Sequence, residues 1–352
     1  MKSDEPNTDE LLQAAATDPA VLAFGVRGPF ELMRDAPNRI LQAYLPGGSQ
    51  RVYLRTTPTQ HRDLPQVSAE IVWMKRLADA GVAVVRPMPP LGRGDEALVF
   101  EESNQLSIAT IEAPGRAAQK PADYRPEVIE SWARLLGELH RHAHLCPPGR
   151  RLWHEDPVVQ MAHSARHPDT AFAQEVFADL TARMMRLPTH SVDGPAFFGA
   201  THADLHLNNL FVQDNGAATA FDFDDACQHW FVHDVAVAVA TLRKAAFEYP
   251  GAFDGPDLEA RFLRTYRATY PLPDAQFALL DLFIAFRLAL LACWASATFH
   301  AGKLETHLLA WYERSRPYLL CELEACWTGG GVHTDKGQSS MLDGQGRTPP
   351  NI

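Results

Sequence analysis

The hydrophobic period of this chain changes once along its length. In roughly the first hundred residues apolar side chains recur at every second position, as in RILQAYL (Arg39–Leu45) and RVYLRT (Arg51–Thr56). That alternation is the mark of strands with one buried face. PGGSQ (Pro46–Gln50) between them supplies turn chemistry, so the pair predicts a β-hairpin. A second hairpin is predicted over Glu96–Gly115, turning at ESNQ. One helix interrupts these strands. Asp63 is its N-cap, Pro65 lies in the first turn, Gly81 stands just past the end, and Ile71, Met74 and Leu77 or Ala78 mark its apolar face. From Pro126 onward the period is helical: Glu127–His144 puts Ile129, Trp132, Leu135, Leu136 and Leu139 on one side. The runs Val232–Leu242, Phe277–Trp294 and 306–327 also read as helices. Strands followed by helices in this order predict an α+β fold, a small β-rich lobe and then a larger helical one.

Composition narrows the function. A net charge of −11 disfavours a general polyanion binder, so no nucleic-acid partner is expected. The cysteines, Cys146, Cys227, Cys293, Cys321 and Cys326, are scattered without a Cys-x-x-Cys pair. They indicate neither a zinc knuckle nor a disulfide framework and fit a reducing cytoplasm. The opening MKSDEPNTDELLQ is polar and acidic, with no signal-peptide apolar region. The most apolar stretch, Leu282–Thr298, is broken by Arg287, and a buried helix explains it better than a membrane span, so no membrane partner is expected. The expected organisation is a polar lead-in over 1–20, a β-rich lobe over 21–112, a helical lobe over 113–327 and a disordered Gly/Ser/Pro/Asp-rich tail over 328–352, in a monomer or homodimer.

The chemistry concentrates in THADLHLNNLFVQDNGAATAFDFDDA (Thr201–Ala226). Asp214-Asn215-Gly216 predicts a hairpin turn between strands Leu210–Val212 and Thr219–Phe223, which brings Asn209 near Asp222. An amide oxygen and a carboxylate are hard donors suited to Mg²⁺. Asp204, in the loop just before, is placed to act as base toward a substrate hydroxyl, given a cation and a phosphate donor nearby.

The pattern His-x-Asp-x-x-x-x-Asn, a short hairpin and then an Asp-Phe pair resembles the catalytic and metal loops of the protein-kinase-like fold. HADLHLNN with AFDFDDA is most similar to the aminoglycoside phosphotransferase-type family, which includes choline kinases, type II homoserine kinases and bacterial stress-response kinases. Ala203 stands where that family usually has glycine, a departure that adds only a methyl group. The resemblance covers roughly residues 25–320 and implies a bilobal protein-kinase-like fold with ATP and Mg²⁺ as cofactors. It implies Asp204 as catalytic base with His202 shaping its loop, Asn209 and Asp222 on the metal, Asp224 at a second metal, and Asp234 as the buried aspartate that pins the catalytic loop. For the nucleotide it implies Arg55 in the place usual for lysine, with Glu70 as its helix partner. Asn38 and Arg39 would form a short turn over the phosphates, and backbone groups of Glu112 and Ala113 would meet adenine.

The implied activity is ATP-dependent phosphotransfer to a hydroxyl of a small molecule, such as an aminoglycoside-like antibiotic, an amino alcohol or homoserine. The alternatives are a protein Ser/Thr kinase of the stress-response type, a nucleotide-binding pseudokinase and a metal-dependent phosphohydrolase built on the DFDD carboxylates. The last would place its Asp-x-Asp after the first strand of a parallel sheet, not behind a β-rich lobe. DFDDA and the AFRLALLACWASATF helix lean toward the homoserine-kinase and stress-kinase branch. His206 and His233 are expected to be structural. Trp230, Phe231, Trp294 and Trp311 are expected to pack in the core and not to cage a cationic amine.

Overall fold

The alternation of the first hundred residues becomes an antiparallel sheet. The computed structural model describes residues 15–34, 38–94, 98–164, 166–190, 194–302 and 306–328. The expected tail beyond residue 328 and most of the expected lead-in lie outside the described residues. A short helix, α1 (Pro19–Phe24), is capped by the Asp18 carboxylate, which accepts from the Ala20 N–H at 2.9 Å. Then come β1 (Arg27–Arg34), β2 (Arg39–Tyr44), β3 (Arg51–Pro58), helix α2 (Leu64–Asp79), β4 (Arg86–Met88), β5 (Phe100–Glu102) and β6 (Gln105–Ile111). The spatial order is β1-β2-β3-β6-β4 with β5 also on β6, every pairing antiparallel.

Both predicted hairpins are present. The second turns at Ser103 and Asn104, whose φ values of +51° and +62° match the twist that a two-residue hairpin needs. Strand alternation sorts the faces of the sheet. Val52 and Leu54 join Leu41, Ala43 and Ala109 in a core closed by Val21 and Phe24 of α1. Arg55, from the other face, meets α2. That helix starts where its capping box dictates: the Gln66 N–H donates to the Asp63 carboxylate at 2.9 Å, and the Asp63 N–H donates back to the Gln66 side chain at 3.3 Å. Its buried side includes Ile71, Met74 and Leu77, as the spacing predicts.

Contacts divide the chain into two compact units, Met1–Asp156 with Thr189–Leu272, and Pro157–Pro188 with Pro273–Ile352. The division does not follow the lobe boundary expected at 112, because the sheet and the first helical elements close into one unit. After β6 that unit holds β7 (Arg116–Ala117) and α3 (Pro126–Arg141). The next helices, α4 (Pro157–Ser164) and α5 (Ala171–Met184), belong to the second unit. The first unit resumes with β8 (Phe198–Thr201), β9 (Leu210–Val212), β10 (Ala218–Ala220), β11 (Cys227–Trp230), α6 (Phe231–Glu248) and α7 (Gly255–Thr269). The strand expected over Thr219–Phe223 ends early, at Ala220. Asp222 has φ +62°, a left-handed backbone that cannot continue a strand.

In the second unit the expected Phe277–Trp294 helix is divided into α8 (Asp274–Phe277) and α9 (Leu280–His300), followed by α10 (Thr306–Thr328). The stretch Asp274–His300 is long and apolar enough to cross a membrane by length and composition, with mean hydropathy 2.0, yet half of that window is buried inside the protein. α9 packs on α10, α5 and α4.

The five apolar positions read from the α3 sequence are all buried, and Trp132 meets Phe262 of α7 edge-on at 5.2 Å. The Trp132 indole N–H is buried without an acceptor among the described residues. Trp132→Ala is expected to destabilise the fold by about 3–5 kcal/mol in urea unfolding. Trp132→Phe, which removes no satisfied hydrogen bond, is expected to cost about 1–2 kcal/mol.

Candidate active site

Two antiparallel pairs bracket the chemistry. β8 pairs with β11, setting Thr201 opposite Cys227, and β9 pairs with β10, setting Leu210 opposite Ala220. The loop 202–209 runs from β8 to β9, and the segment 221–226 runs from β10 to β11. The two are therefore tied side by side at both ends, and the Phe221 N–H donates to the Asn209 carbonyl at 3.1 Å. Asn209 therefore lies beside Phe221, the residue before Asp222.

The loop also closes on itself. The Asp204 carbonyl accepts from the His206 N–H at 2.8 Å and from the Asn209 side-chain amide at 2.9 Å. With its nitrogen so engaged, the Asn209 amide turns its oxygen the other way, as a metal donor would require. The Asp204 side chain stays 22% exposed, with His206 Nε2 at 3.4 Å from its carboxylate. It is an accessible carboxylate on a rigid loop.

Asp234, in the first turn of α6, is the clamp. Its carboxylate accepts from the His202 N–H at 3.0 Å and from the Ala203 N–H at 2.7 Å. Ala203 has φ +66°, so the clamp holds a non-glycine residue in the left-handed region. The methyl in place of glycine therefore also costs backbone strain, more than its size suggests.

His140 of α3 completes the clamp, with Nε2 at 3.1 Å from Asp234 and Nδ1 at 2.7 Å from the Tyr266 hydroxyl of α7. An ionised Asp234 can only accept, so Nε2 carries a proton toward it. The imidazole lies flat on Phe231 at 4.3 Å. Burial works to push the Asp234 carboxyl up, but the hydrogen bond from His140 and the fields of His140, His233 and His202 outweigh it and hold the group below its ordinary pKa.

Opposite this loop stands a layer of arginine and carboxylate groups. Arg55 forks onto Glu70 through two hydrogen bonds of 2.8 Å, both side chains buried. Burial disfavours the Arg55 charge, yet Glu70 and Asp224 outweigh it and keep the guanidinium firmly protonated. Asp224 is surrounded by donors: Asn38 Nδ2 at 3.0 Å, Arg62 Nε at 3.4 Å, His61 Nε2 at 3.6 Å and Arg55 at 3.7 Å. Burial would raise its pKa, but Arg55, His61 and Arg62 hold it well below the usual carboxylate range. Asp222 goes the other way: burial first and then the charge of Asp224 push its carboxyl up, with Asp204 adding to the effect. Asp224 is met by two arginines, whereas at Asp222 the fields of Arg55 and His202 are outweighed by burial and by Asp224.

Several sequence expectations are corrected by this geometry. His202, expected to shape the loop, has no exposed surface, and its Nε2 lies 3.0 Å from the Phe221 carbonyl, where it braces the two loops against each other. Asp224, expected at a second metal, is a charge partner of Arg55 and Arg62. Arg39, expected over the phosphates, is bound to the helix-capping Asp18. Asn38 is buried and bonded to Asp224. The Glu112 N–H is committed to the Arg51 carbonyl at 3.0 Å and its carbonyl accepts from Gln50 at 3.2 Å, which moves an adenine contact away from that N–H; the adjoining Ala113 is half-buried. Sequence reasoning missed His140, Arg62 and Arg150. An arginine or histidine in a loop or on an apolar helix carries no local signal of what it meets more than sixty residues away.

Residues 38–277 match the model of the phosphotransferase enzyme family. Amicoumacin kinase of Bacillus subtilis is 29% identical over 212 residues, 58% of this chain and 60% of that protein, so the chain spans about three fifths of that relative's length. A homoserine kinase of Caulobacter vibrioides is 29% identical over 248 residues, 66% of this chain and 72% of that protein. Among solved structures, amicoumacin kinase hAmiN in complex with AMP-PNP and Ca²⁺ superposes with a TM-score of 0.70 at 21% identity, covering 89% of this chain and 96% of that one. A microcompartment-associated aminopropanol kinase superposes at 0.66 with 18% identity, covering 92% and 98%. The fold is the α+β protein-kinase-like fold that these structures share.

Relief of strain at Ala203 is measurable: Ala203→Gly is expected to raise stability by about 1 kcal/mol in chemical unfolding, and no gain would mean that the left-handed backbone is not strained. Asp234→Asn leaves one of two backbone N–H groups without an acceptor and is expected to cost about 3 kcal/mol at neutral pH. A depressed carboxyl stabilises the fold above its unfolded pKa of about 3.9 and loses that effect as pH falls through the lower folded value, so the gap between wild type and Asp234→Asn should narrow only below about pH 4.

Proposed function

This chain belongs to the phosphotransferase enzyme family, and from that premise we propose that it transfers the γ-phosphate of ATP to a hydroxyl of a small amine-bearing molecule. The observation that carries the proposal is the partly exposed Asp204 carboxylate on a loop that ends at Asn209 and is held beside the segment carrying Asp222. Phosphoryl transfer asks a protein chiefly to position its reactants and to stabilise charge, and a rigid frame of this kind suits it.

The donor set fits Mg²⁺. The Asp222 carboxyl is pushed up by burial and by neighbouring aspartates, so the site carries negative charge that a divalent cation would balance. Asn209 and Asp222 would hold the ion, and when bound it would neutralise the phosphate charge that repels an incoming hydroxyl. Asp204 would orient that hydroxyl and accept its proton. The Arg55 fork is spent on Glu70, which leaves the outer edge of the guanidinium for a phosphate oxygen.

An amine on the acceptor is supported by charge. Asp225 is paired with Arg62 at 3.2 Å, yet burial and the charges of Asp156, Asp204 and Asp224 outweigh that pull and push its carboxyl up. An ammonium group would relieve that repulsion. Amicoumacin kinase, homoserine kinase and aminopropanol kinase among the similar proteins support the same class.

A coupled ADP-release assay over amino alcohols, amine antibiotics and a generic protein acceptor tests the proposal. At least one small amine-bearing alcohol is expected to give turnover, and Asp204→Asn is expected to lower it by about 10²–10⁴-fold. Full turnover in that variant would remove Asp204 from the reaction, and turnover with the protein acceptor alone would replace the substrate class.

A further inference from the structure

We infer that Arg150 is a positioning residue, which locks helix α2 to the segment 223–226 so that the Arg55–Glu70 pair and Asp222 keep a fixed spacing. The inference rests on the phosphotransferase reading for its consequence, and on geometry alone for the lock. Arg150 comes from neither partner: it lies in the loop that follows α3. Its side chain is 2% exposed and makes contact with both sides. Toward the segment, Nη2 donates to the Asp224 carbonyl at 2.7 Å and to the Phe223 carbonyl at 3.4 Å, while Nε donates to the Ala226 carbonyl. Toward the helix, Nη1 donates to the Gln66 carbonyl at 3.1 Å and stands 3.6 Å from the Glu70 carboxylate. A planar fork with five donors can span two segments in this way; a lysine ammonium, with three donors on one atom, cannot.

The neighbouring residues are built for the same contact. Gly149 has φ +126°, and a Cβ there would stand 2.7 Å from the Pro65 carbonyl oxygen and 3.2 Å from the Ala69 Cβ, so the loop lies directly on the first turns of α2. Arg151 donates to the Gln66 side chain at 2.6 Å, and its own carbonyl accepts from the Gln228 N–H of β11 at 2.8 Å. Arg150 thus joins the helix that carries Glu70 to the segment that carries Asp222, with Gly149 seated on the helix and Arg151 tied to the helix and to β11 on either side of it.

The chemical consequence follows from how Glu70 is shared. Its carboxylate faces Arg55 at 2.8 Å and Arg150 at 3.6 Å. With Arg150 beside it, Glu70 keeps a cationic neighbour when Arg55 turns an edge toward phosphate. A buried arginine that only satisfied loop carbonyls would stabilise the fold without linking the nucleotide side to the metal side.

The test uses the full chain with AMP-PNP as probe, by calorimetry with and without Mg²⁺, and hydrogen exchange without nucleotide. For Arg150→Lys, amides of α2 and of residues 221–227 are expected to lose protection together. The Mg²⁺-dependent gain in AMP-PNP affinity is expected to fall at least tenfold, while affinity without Mg²⁺ stays within twofold. Exchange that rises in only one segment, equal losses of both affinities, or binding unchanged from wild type would each overturn the inference. Gly149→Ala, which keeps the guanidinium but pushes the loop off Pro65, is expected to give the same pattern and replaces Arg150→Lys if that variant does not fold. Wild-type protein that binds no AMP-PNP in either condition would defeat the phosphotransferase reading and leave the exchange result to judge the lock.

Discussion

The site depends on one buried carboxylate. Asp234 accepts from two consecutive backbone N–H groups, at His202 and Ala203, and from the imidazole of His140. An isolated carboxylate at that depth would be costly, but a carboxylate that receives three donors is held ionised. The two backbone bonds force the chain into the turn that Ala203 must adopt, with φ +66°. That turn sets where Asp204 emerges. Tyr266 and Phe231 hold the imidazole in turn, so helices α3, α6 and α7 fix the loop through a single anion.

Charge is distributed unevenly over the rest of the site. Arg55 and Arg62 converge on Asp224, whereas Asp222, two residues earlier, has a carboxyl pushed up by its surroundings. The distinction comes from neighbours: Asp224 lies against Arg55 of β3, Asn38 just before β2, and His61 and Arg62 in the turn that leads into α2. A pair of aspartates two residues apart can therefore divide into one that joins the sheet to the loops and one whose charge its neighbours leave under-compensated. The proposal of Mg²⁺ at Asn209 and Asp222 rests on that asymmetry.

The fold was largely legible because its signals are local. Turn residues at Pro46–Gln50 and Ser103-Asn104, the cap at Asp63 and the apolar stripe of α3 each act within a few residues, and each is where the pattern puts it. Spacing also gave the register of the β9–β10 hairpin, which sets Asn209 beside Phe221, the neighbour of Asp222. The sequence did not disclose the end of β10 at Ala220, because a left-handed backbone at an aspartate such as Asp222 carries no signal in the apolar alternation. Arg39 was misassigned for a similar reason. A solvated-looking basic residue after a turn has no local preference between a phosphate and the carboxylate of Asp18.

By itself the sequence determined the order of strands and helices, the hairpin that carries Asn209 and Asp222, and the set of residues able to handle a metal and a proton. Those follow from period, turn chemistry and side-chain type, which are properties of short stretches. Tertiary structure alone decided which aspartate is neutralised, which histidine braces a loop, and that Arg150, Arg62 and His140 belong to the site at all. These depend on contacts between segments far apart in the chain, and the energy of a buried charge is set by the groups that surround it, not by its neighbours in sequence.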